Sequence, residues 1–249
     1  MTESVWNILN DLEDLLQTGY RVQHVAPQVN SHTTATVVQQ NSLPSEGEVD
    51  SEYSNDSDTR KQIAAEILDC TSCSLHADRI QAVPGVGSSQ PLVMVIGEAP
   101  GADEDRMGLP FVGPSGQYLD KWLKAVELSR HRNVYITNVV KCRPPGNRNP
   151  GGEEVAACIP YLFRQITQLN PVMILLLGRV AAQTALGVDA ALSALRGRLH
   201  TVRGIPAIVT YHPSAVLRNQ NLRGDVWGDM QLLRDQLMQL RSDYRPVIR

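Results

Sequence analysis

Four short apolar runs follow one another through the chain after residue 90, and each has the length and composition of a buried β-strand. Segments with helical spacing of apolar residues separate them. Strands that alternate with helices are typical of a parallel sheet with helices on both faces. The predicted strands are residues 92–96, 134–139, 172–177 and 207–210, and the predicted helices are residues 115–128, 153–169, 179–186 and 223–240. The pattern predicts an α/β fold, a three-layer α/β/α sandwich with a central four-stranded, mainly parallel sheet.

The first sixty residues have a different texture. Apolar residues at helical spacing predict a short amphipathic helix over residues 4–20, which could dock on a protein partner. Residues 25–60 are rich in Ser, Thr, Gln, Asn and acids, so they bury too little apolar surface to offset the entropy of ordering, and we expect a disordered linker. The predicted division is an N-terminal extension, residues 1–57, and a folded domain, residues 58–249.

Charge divides the chain at the same place. The formal net charge is -3, but residues 1–60 hold ten acidic and two basic residues, which leaves sixteen acidic and twenty-one basic residues in the remainder. A mildly cationic folded part suits a polyanionic partner. No apolar run reaches the roughly 18 residues of a membrane helix, and the N-terminus lacks the basic n-region of a signal peptide. We therefore expect a cytoplasmic protein.

Four cysteines, Cys70, Cys73, Cys142 and Cys158, all lie in the predicted folded part. In a cytoplasmic chain, they are better candidates for metal ligands than for disulfides. Two ligands in a Cys-x-x-Cys turn can bind one ion or cluster, and four thiolates suit either zinc or an iron–sulfur cluster. The cysteine spacing does not distinguish zinc from an iron–sulfur cluster. In either case, we expect the bound metal to have a structural role.

Polar motifs follow the predicted strands at their carboxyl ends, where parallel α/β sheets bind ligands. The first strand runs into GEAPGADEDRMGLPFVG, residues 97–113, which carries four of the five acids Glu98, Asp103, Glu104, Asp105 and Asp120. A loop so acidic would repel phosphate and suits a site that needs a carboxylate beside the reacting centre. Asn138 ends the second strand and His212 follows the fourth; either could instead be an ordinary loop residue.

Taken together, five stretches closely resemble the family 4, iron–sulfur type of uracil-DNA glycosylase. They are GEAPGADEDRMGLPFVGPSGQYLD, TNVVKCRPPGNRNP, LLLGRVAAQTAL, LRGRLH and YHPSAVLR, accompanied by the four-cysteine pattern. The resemblance covers roughly residues 63–240. It implies removal of uracil from DNA by hydrolysis of the N-glycosidic bond in base excision repair. We expect a monomer, and the uracil-containing DNA partner can be double- or single-stranded.

The resemblance also implies roles for particular residues. It places a [4Fe–4S] cluster on the four cysteines, in preference to zinc. The loop that starts at Gly97, Glu98 and Ala99 forms one wall of a uracil pocket, and Phe111 is the ring on which the flipped base stacks. Residues 99–104 are expected to exclude the methyl group of thymine.

For catalysis, we expect Asn138 to read the base and His212 to donate to uracil O2. Glu98 is the first choice for the carboxylate that handles the attacking water, and Glu104 is its rival. Leu217 is the candidate wedge that fills the vacated stack. Candidate phosphate contacts are Lys141, Arg143, Arg148 and Arg218.

Two alternatives, covalent capture of the sugar and loss of catalysis, bear on the predicted activity. Some relatives trap the sugar covalently through a histidine in a KRRIH insertion, whereas this chain has CRPPGNRNPGG there, so we expect turnover. A non-catalytic iron–sulfur DNA-binding module of the same fold is the alternative function.

Overall fold

A computed structural model describes residues 53–246 of the 249-residue chain. The strands are β1 Val86–Gly87, β2 Val93–Gly97, β3 Val134–Asn138, β4 Met173–Leu177, β5 Leu199–Val202 and β6 Ile205–Thr210. The helices are α1 Tyr53–Leu68, α2 Ala102–Met107, α3 Pro114–Ala125, α4 Gly152–Leu169, α5 Arg179–Leu186, α6 Leu192–Leu195, α7 Pro213–Arg218 and α8 Arg223–Leu240, with short 3₁₀ turns at Ser74–His76, Pro145–Asn147 and Gln220–Leu222.

The sheet has six strands in the order β1-β3-β2-β4-β6-β5. Its four central strands are parallel and correspond to the four predicted ones. The outer strands β1 and β5 are antiparallel to their neighbours, and the sequence pattern missed both. β1 has only two residues, and β5 is largely exposed, so neither contains the apolar run that marks a buried strand.

Both faces of the sheet are apolar because helices cover both. Along β4, Ile174 and Leu176 face a core with α1, α4 and α5, while Leu175 and Leu177 face a second core with α3 and α8. The central strands therefore read as continuous apolar runs, without the polar alternation of a half-exposed sheet. The predicted three-layer α/β/α architecture is confirmed.

α1 begins at Tyr53, inside residues 25–60, the stretch that composition assigned to a linker. Its apolar side chains Ile63 and Ile67 are buried in the first core, and Glu66 forms an ion pair with Arg164 of α4. Because the first half of α1 is polar, its composition did not indicate a helix. The helix predicted over residues 4–20 lies outside the described residues. Among the described residues, no helix is both long and apolar enough to cross a membrane.

Candidate active site and cysteine centre

The carboxyl ends of the central strands meet at one edge of the sheet, as the strand order requires. Gly97, the last residue of β2, is paired with Asn138, the last residue of β3. On the other side, Gly178 follows β4 and donates its N–H to the carbonyl of Thr210, the last residue of β6. His212 lies two residues further on, as the N-cap of α7. The four predicted strand-end motifs thus converge.

Gly97 is the point at which two predicted site residues meet. A Cβ atom on Gly97 would lie 2.4 Å from Oδ1 of Asn138 and 2.6 Å from Cζ of Phe111. The Phe111 ring in turn lies 5.5 Å, centroid to centroid, from the ring of His212, at an interplanar angle of 33°. An amide, a phenyl ring and an imidazole therefore form one contiguous cluster over a backbone without a side chain.

Asn138 is the buried polar residue of this cluster, with only 1% of its surface exposed. Its side-chain Oδ1 has no hydrogen-bond partner among the described residues. An unpaired buried acceptor costs about 1–3 kcal/mol, so such groups are rare unless a ligand satisfies them. Oδ1 of Asn138 is thus positioned to accept a hydrogen bond from a ligand.

His212 is a neutral imidazole with one defined tautomer. Its Nδ1 accepts a hydrogen bond from the backbone N–H of Ser214 at 3.2 Å and lies 2.8 Å from Oγ of the same residue. Because Nδ1 is the acceptor, the ring proton is on Nε2. Burial, and to a lesser extent the charge of nearby Arg218, lower the pKa of His212 to about 4, against an opposing effect of Glu104. His212 can therefore donate from Nε2 without carrying a charge at neutral pH.

Phe111 adopts a left-handed backbone conformation, with φ of 54°, which is uncommon for a residue other than glycine. Arg130 holds it by donating to the carbonyl oxygen of Phe111 at 2.8 Å and to that of Pro110 at 3.1 Å. Space is also tight beneath it, because a Cβ on Gly116 would lie 1.9 Å from the Phe111 carbonyl oxygen. The ring is part of a fixed loop.

The carboxylate of Glu104 is fully engaged in this loop. One oxygen accepts from the backbone N–H groups of Val112 at 2.8 Å and Gly113 at 2.9 Å, and the other accepts from Gly101 at 3.1 Å. Glu104 thereby joins the first turn of α2 to the residues that follow Phe111. A carboxylate with three backbone donors has little capacity left for a water molecule.

Most of the other acids also support the fold. Asp103 pairs with Arg106, Asp105 is buried and accepts from the backbone at Ile80, and Asp120 pairs with Arg130. The acidity of the loop after β2 largely reflects the N-terminus of α2, where negative side chains are favourable.

Glu98 differs from these acids. Burial raises its pKa, and the charge of Arg179 opposes that rise. It is a partly buried carboxylate directly after β2, next in the chain to Gly97.

The Cys70–Cys73 pair and the distant Cys142 and Cys158 line one cavity together with Arg79 and Tyr161. Arg79 donates to Sγ of Cys142 at 3.0 Å, and the backbone N–H of Lys141 donates to Sγ of Cys158 at 3.3 Å. N–H donors directed at sulfur are the partners that a bound thiolate needs. This donor set fits a cluster held by four thiolates.

Burial raises the pKa of Cys158 to about 11 and also raises that of Cys142. These thiols would be neutral on their own, and a bound cationic centre would hold them as thiolates. Among residues 53–246, no three His, Cys, Asp or Glu side chains converge closely enough for a single metal ion.

Sequence comparison gives the family. The model of the uracil DNA glycosylase superfamily matches residues 84–231, which include the Gly97, Asn138, Phe111 and His212 cluster. Type-4 uracil-DNA glycosylases of Pyrobaculum aerophilum and Archaeoglobus fulgidus are 44% and 41% identical to the chain over 175 and 177 residues. These alignments cover 67% and 68% of the chain and 88% of each relative. The chain belongs to the type-4 uracil-DNA glycosylase family.

The type-5 relatives match less well. A type-5 uracil-DNA glycosylase of Pyrobaculum aerophilum is 35% identical over 148 residues, with 53% of the chain and 65% of the relative covered. The resemblance to the type-4 family stated from the motifs is confirmed.

In this type-4 uracil-DNA glycosylase, Lys141 does not lie where a phosphate contact would. Its side chain is 1% exposed, and its ammonium group is enclosed by protein oxygens. The prediction that it contacts DNA is therefore wrong. A lysine beside a basic, proline-rich loop looks exposed in the sequence, and only its position under the end of β3 reveals the burial.

The other candidate DNA contacts are accessible to different degrees. Leu217 is 46% exposed and Arg218 is exposed, both on α7 directly after His212. Leu217 is therefore not part of the hydrophobic core. Arg143 is partly buried and donates to Asn147, and exposed Arg148 forms a two-fold ion pair with Glu154.

One exposed cation near the site was missed by the sequence analysis of this type-4 enzyme. Arg179, the first residue of α5, follows Gly178 at the edge where the motifs converge and interacts electrostatically with Glu98. The GR pair at the end of an apolar strand was the available signal.

Proposed function

We propose that the chain hydrolyses the N-glycosidic bond of deoxyuridine flipped out of DNA, which leaves an abasic site for base excision repair. The observation that carries the proposal is the unpaired Oδ1 of buried Asn138, next to Phe111 and in one cluster with His212. A base in a duplex is inaccessible to this cluster, so the nucleotide must rotate out, at a cost of a few kcal/mol.

Asn138 is the residue proposed to read the base. Its Oδ1 accepts from N3–H of uracil, and its amide N–H₂ donates to O4. Cytosine presents the opposite pattern, with a bare N3 and an amino group, so both buried groups would face the wrong partner. Such a mismatch costs far more than one lost contact.

Phe111 supplies the surface on which the pyrimidine stacks, and the backbone of Gly97, Glu98 and Ala99 forms the adjoining wall. Because Phe111 is held in place before the base enters, base binding does not include the entropic cost of ordering this side chain. Residues 99–104 are the proposed barrier to the methyl group of thymine.

The chemical step breaks the bond between C1′ and N1. His212 donates from Nε2 to O2 as negative charge develops on the leaving uracil, and a pre-placed donor of this kind contributes several kcal/mol. Glu98 orients the water whose oxygen bonds to C1′, and its charge favours the cationic sugar; the proton released by water ends on uracil. Glu104 is not given this role, because its oxygens hold the Phe111 loop.

On the DNA, Leu217 is the proposed wedge, because an exposed leucine follows the catalytic histidine by one helical turn and a half. Arg143, Arg148, Arg179 and Arg218 are the proposed phosphate contacts. The helix predicted over residues 4–20 remains a candidate docking element for a protein partner, and the enzyme is proposed to act as a monomer.

A [4Fe–4S] cluster on Cys70, Cys73, Cys142 and Cys158 is the proposed cofactor. When bound, it supplies structural cross-linking and no step of the reaction. The four thiols of one cavity and the N–H donors on two of them support it. Anaerobically purified protein should be brown and contain about four irons and four sulfides per chain; colourless protein with one zinc would overturn this assignment.

The function is tested on an oligonucleotide that contains one uracil, by cleavage of the abasic product. The wild-type chain should turn over many times, whereas Asn138→Asp should lose about 10³-fold in kcat/KM, because a carboxylate cannot donate to O4. If each enzyme molecule forms only one abasic product, the prediction of turnover is wrong. Binding with no product at all would favour the non-catalytic alternative.

A further inference from the structure

The most deeply buried cation of the described residues lies directly behind the base-reading amide. Lys141 is 1% exposed. Its ammonium group donates to Oγ1 of Thr137 at 2.7 Å, to the backbone carbonyl of Asn138 at 2.7 Å and to Oε1 of Gln165 at 2.8 Å. Three N–H donors meet three acceptors, which is the condition for burying such a group without a large penalty.

The acceptors are themselves fixed. Gln165 on α4 donates from Nε2 to the carbonyl of Pro84 at 2.8 Å and to the hydroxyl of Tyr135 at 3.3 Å. Thr137 donates to the same Pro84 carbonyl at 3.0 Å. These groups pair with one another, and the side-chain Oδ1 of Asn138 is left unpaired at the margin of this network. The network therefore fixes the backbone of the reader and leaves its acceptor free for a ligand.

The backbone of Lys141 belongs to the cysteine cavity. Its N–H donates to Sγ of Cys158 at 3.3 Å, Cys142 is the next residue, and Lys141 lines the cavity that all four cysteines share. One residue thus joins the base-reading end of β3 to the cysteine centre, through its side chain on one side and its backbone on the other.

We propose that Lys141 is a positioning residue for uracil recognition: its ammonium group holds the Asn138 carbonyl in place and so couples the order of the cysteine centre to the base-reading amide. This inference depends on the proposed role of Asn138. Lys141 touches neither the base nor the DNA, and it acts through Asn138. A residue that only supported folding would change thermal stability without changing affinity for the base.

Lys141→Met tests the proposal, because it keeps an unbranched apolar stem and removes the three donors. Leu233→Ala is the matched control. Leu233 is buried on α8 in the second core, whereas α1 and α4 pack in the first. For each variant we would measure iron content, melting temperature, kcat and KM on uracil-containing DNA, and the product-inhibition constant of free uracil.

We expect Lys141→Met to retain iron and to raise the uracil inhibition constant about ten-fold or more, with a similar loss in kcat/KM. Leu233→Ala should lower the melting temperature while both constants stay within about two-fold of wild type. A Lys141→Met protein with a wild-type inhibition constant would overturn the proposal, whatever its stability.

Gln165→Leu decides the question if Lys141→Met does not accumulate as folded protein. It removes one acceptor and should raise the inhibition constant about three-fold; an unchanged constant would overturn the proposal. Excision by the wild-type chain separates the two ideas. If it excises uracil and the Lys141 and Gln165 variants bind uracil normally, only the coupling is wrong, whereas absence of excision refutes the proposed function.

Discussion

At the scale of single residues, His212 combines a proposed catalytic role with a cost in stability at low pH. The folded chain keeps the imidazole neutral, with the pKa lowered by burial to about 4, against an ordinary value of 6.5. In the unfolded chain, the ring takes up a proton as the pH falls through 6.5. Stability contributed by the neutral ring is therefore complete above pH 6.5 and is lost as the pH falls toward 4.

Chemical unfolding at a series of pH values measures this effect. Between pH 7 and pH 4, wild type should lose on the order of 3 kcal/mol more stability than His212→Gln, which cannot titrate and can still accept from Ser214. Parallel stability curves for the two proteins would contradict the lowered pKa.

The two glutamates of the first motif should respond differently to removal of their charge. Glu104→Gln replaces one acceptor oxygen by an N–H₂ group that meets a backbone N–H, so we expect a loss of about 1–3 kcal/mol in stability. Both kcat and uracil affinity should fall about ten-fold as the Phe111 loop shifts.

Glu98→Gln is the matched variant. Burial raises the pKa of Glu98, so its charge opposes folding, and its removal should leave the melting temperature unchanged or raised. The kcat should fall about 10²-fold with uracil affinity retained. If Glu104→Gln is stable and selectively loses kcat, the two roles must be exchanged.

At the scale of elements, the sequence was most informative where the periodicity was strongest. The four central strands and the helices α3, α4, α5 and α8 follow from apolar runs and helical spacing, because burial leaves those signals intact. The strands β1 and β5 and the helices α2, α6 and α7 were not predicted, since they are short and held by tertiary contacts. The helix α1 was missed because its first half is polar.

The limits of prediction at the site have the same cause. Asn138, Phe111 and His212 could be brought together from the sequence because each follows a strand of one parallel sheet or belongs to a motif of the family. The burial of Lys141, the loop-holding role of Glu104 and the position of Arg179 depend on which side chains meet in space. Residue type and spacing do not contain that information.

At the scale of the whole molecule, the described fold contains both cores, the cysteine cavity and the site without residues 1–52. A chain that lacks residues 1–52 should therefore excise uracil with kcat/KM within about two-fold of the full-length chain.

A chain shortened to begin after α1, at residue 69, should instead lose thermal stability and iron. It lacks Ile63 and Ile67, and burial of such side chains contributes about 2–5 kcal/mol each. Iron analysis and thermal unfolding of both truncated chains provide the comparison. A dead first truncate would show that the N-terminal segment contributes to catalysis.

The left-handed conformation of Phe111 bears on how damaged DNA is searched. If Phe111 stacks on the base as proposed, its platform is complete before any nucleotide arrives and can test each everted base without waiting for a loop to close. Selection of uracil over normal bases then depends on how often each base leaves the helix and on its hydrogen-bonding edge. Weakly paired lesions should therefore be sampled most often by this enzyme.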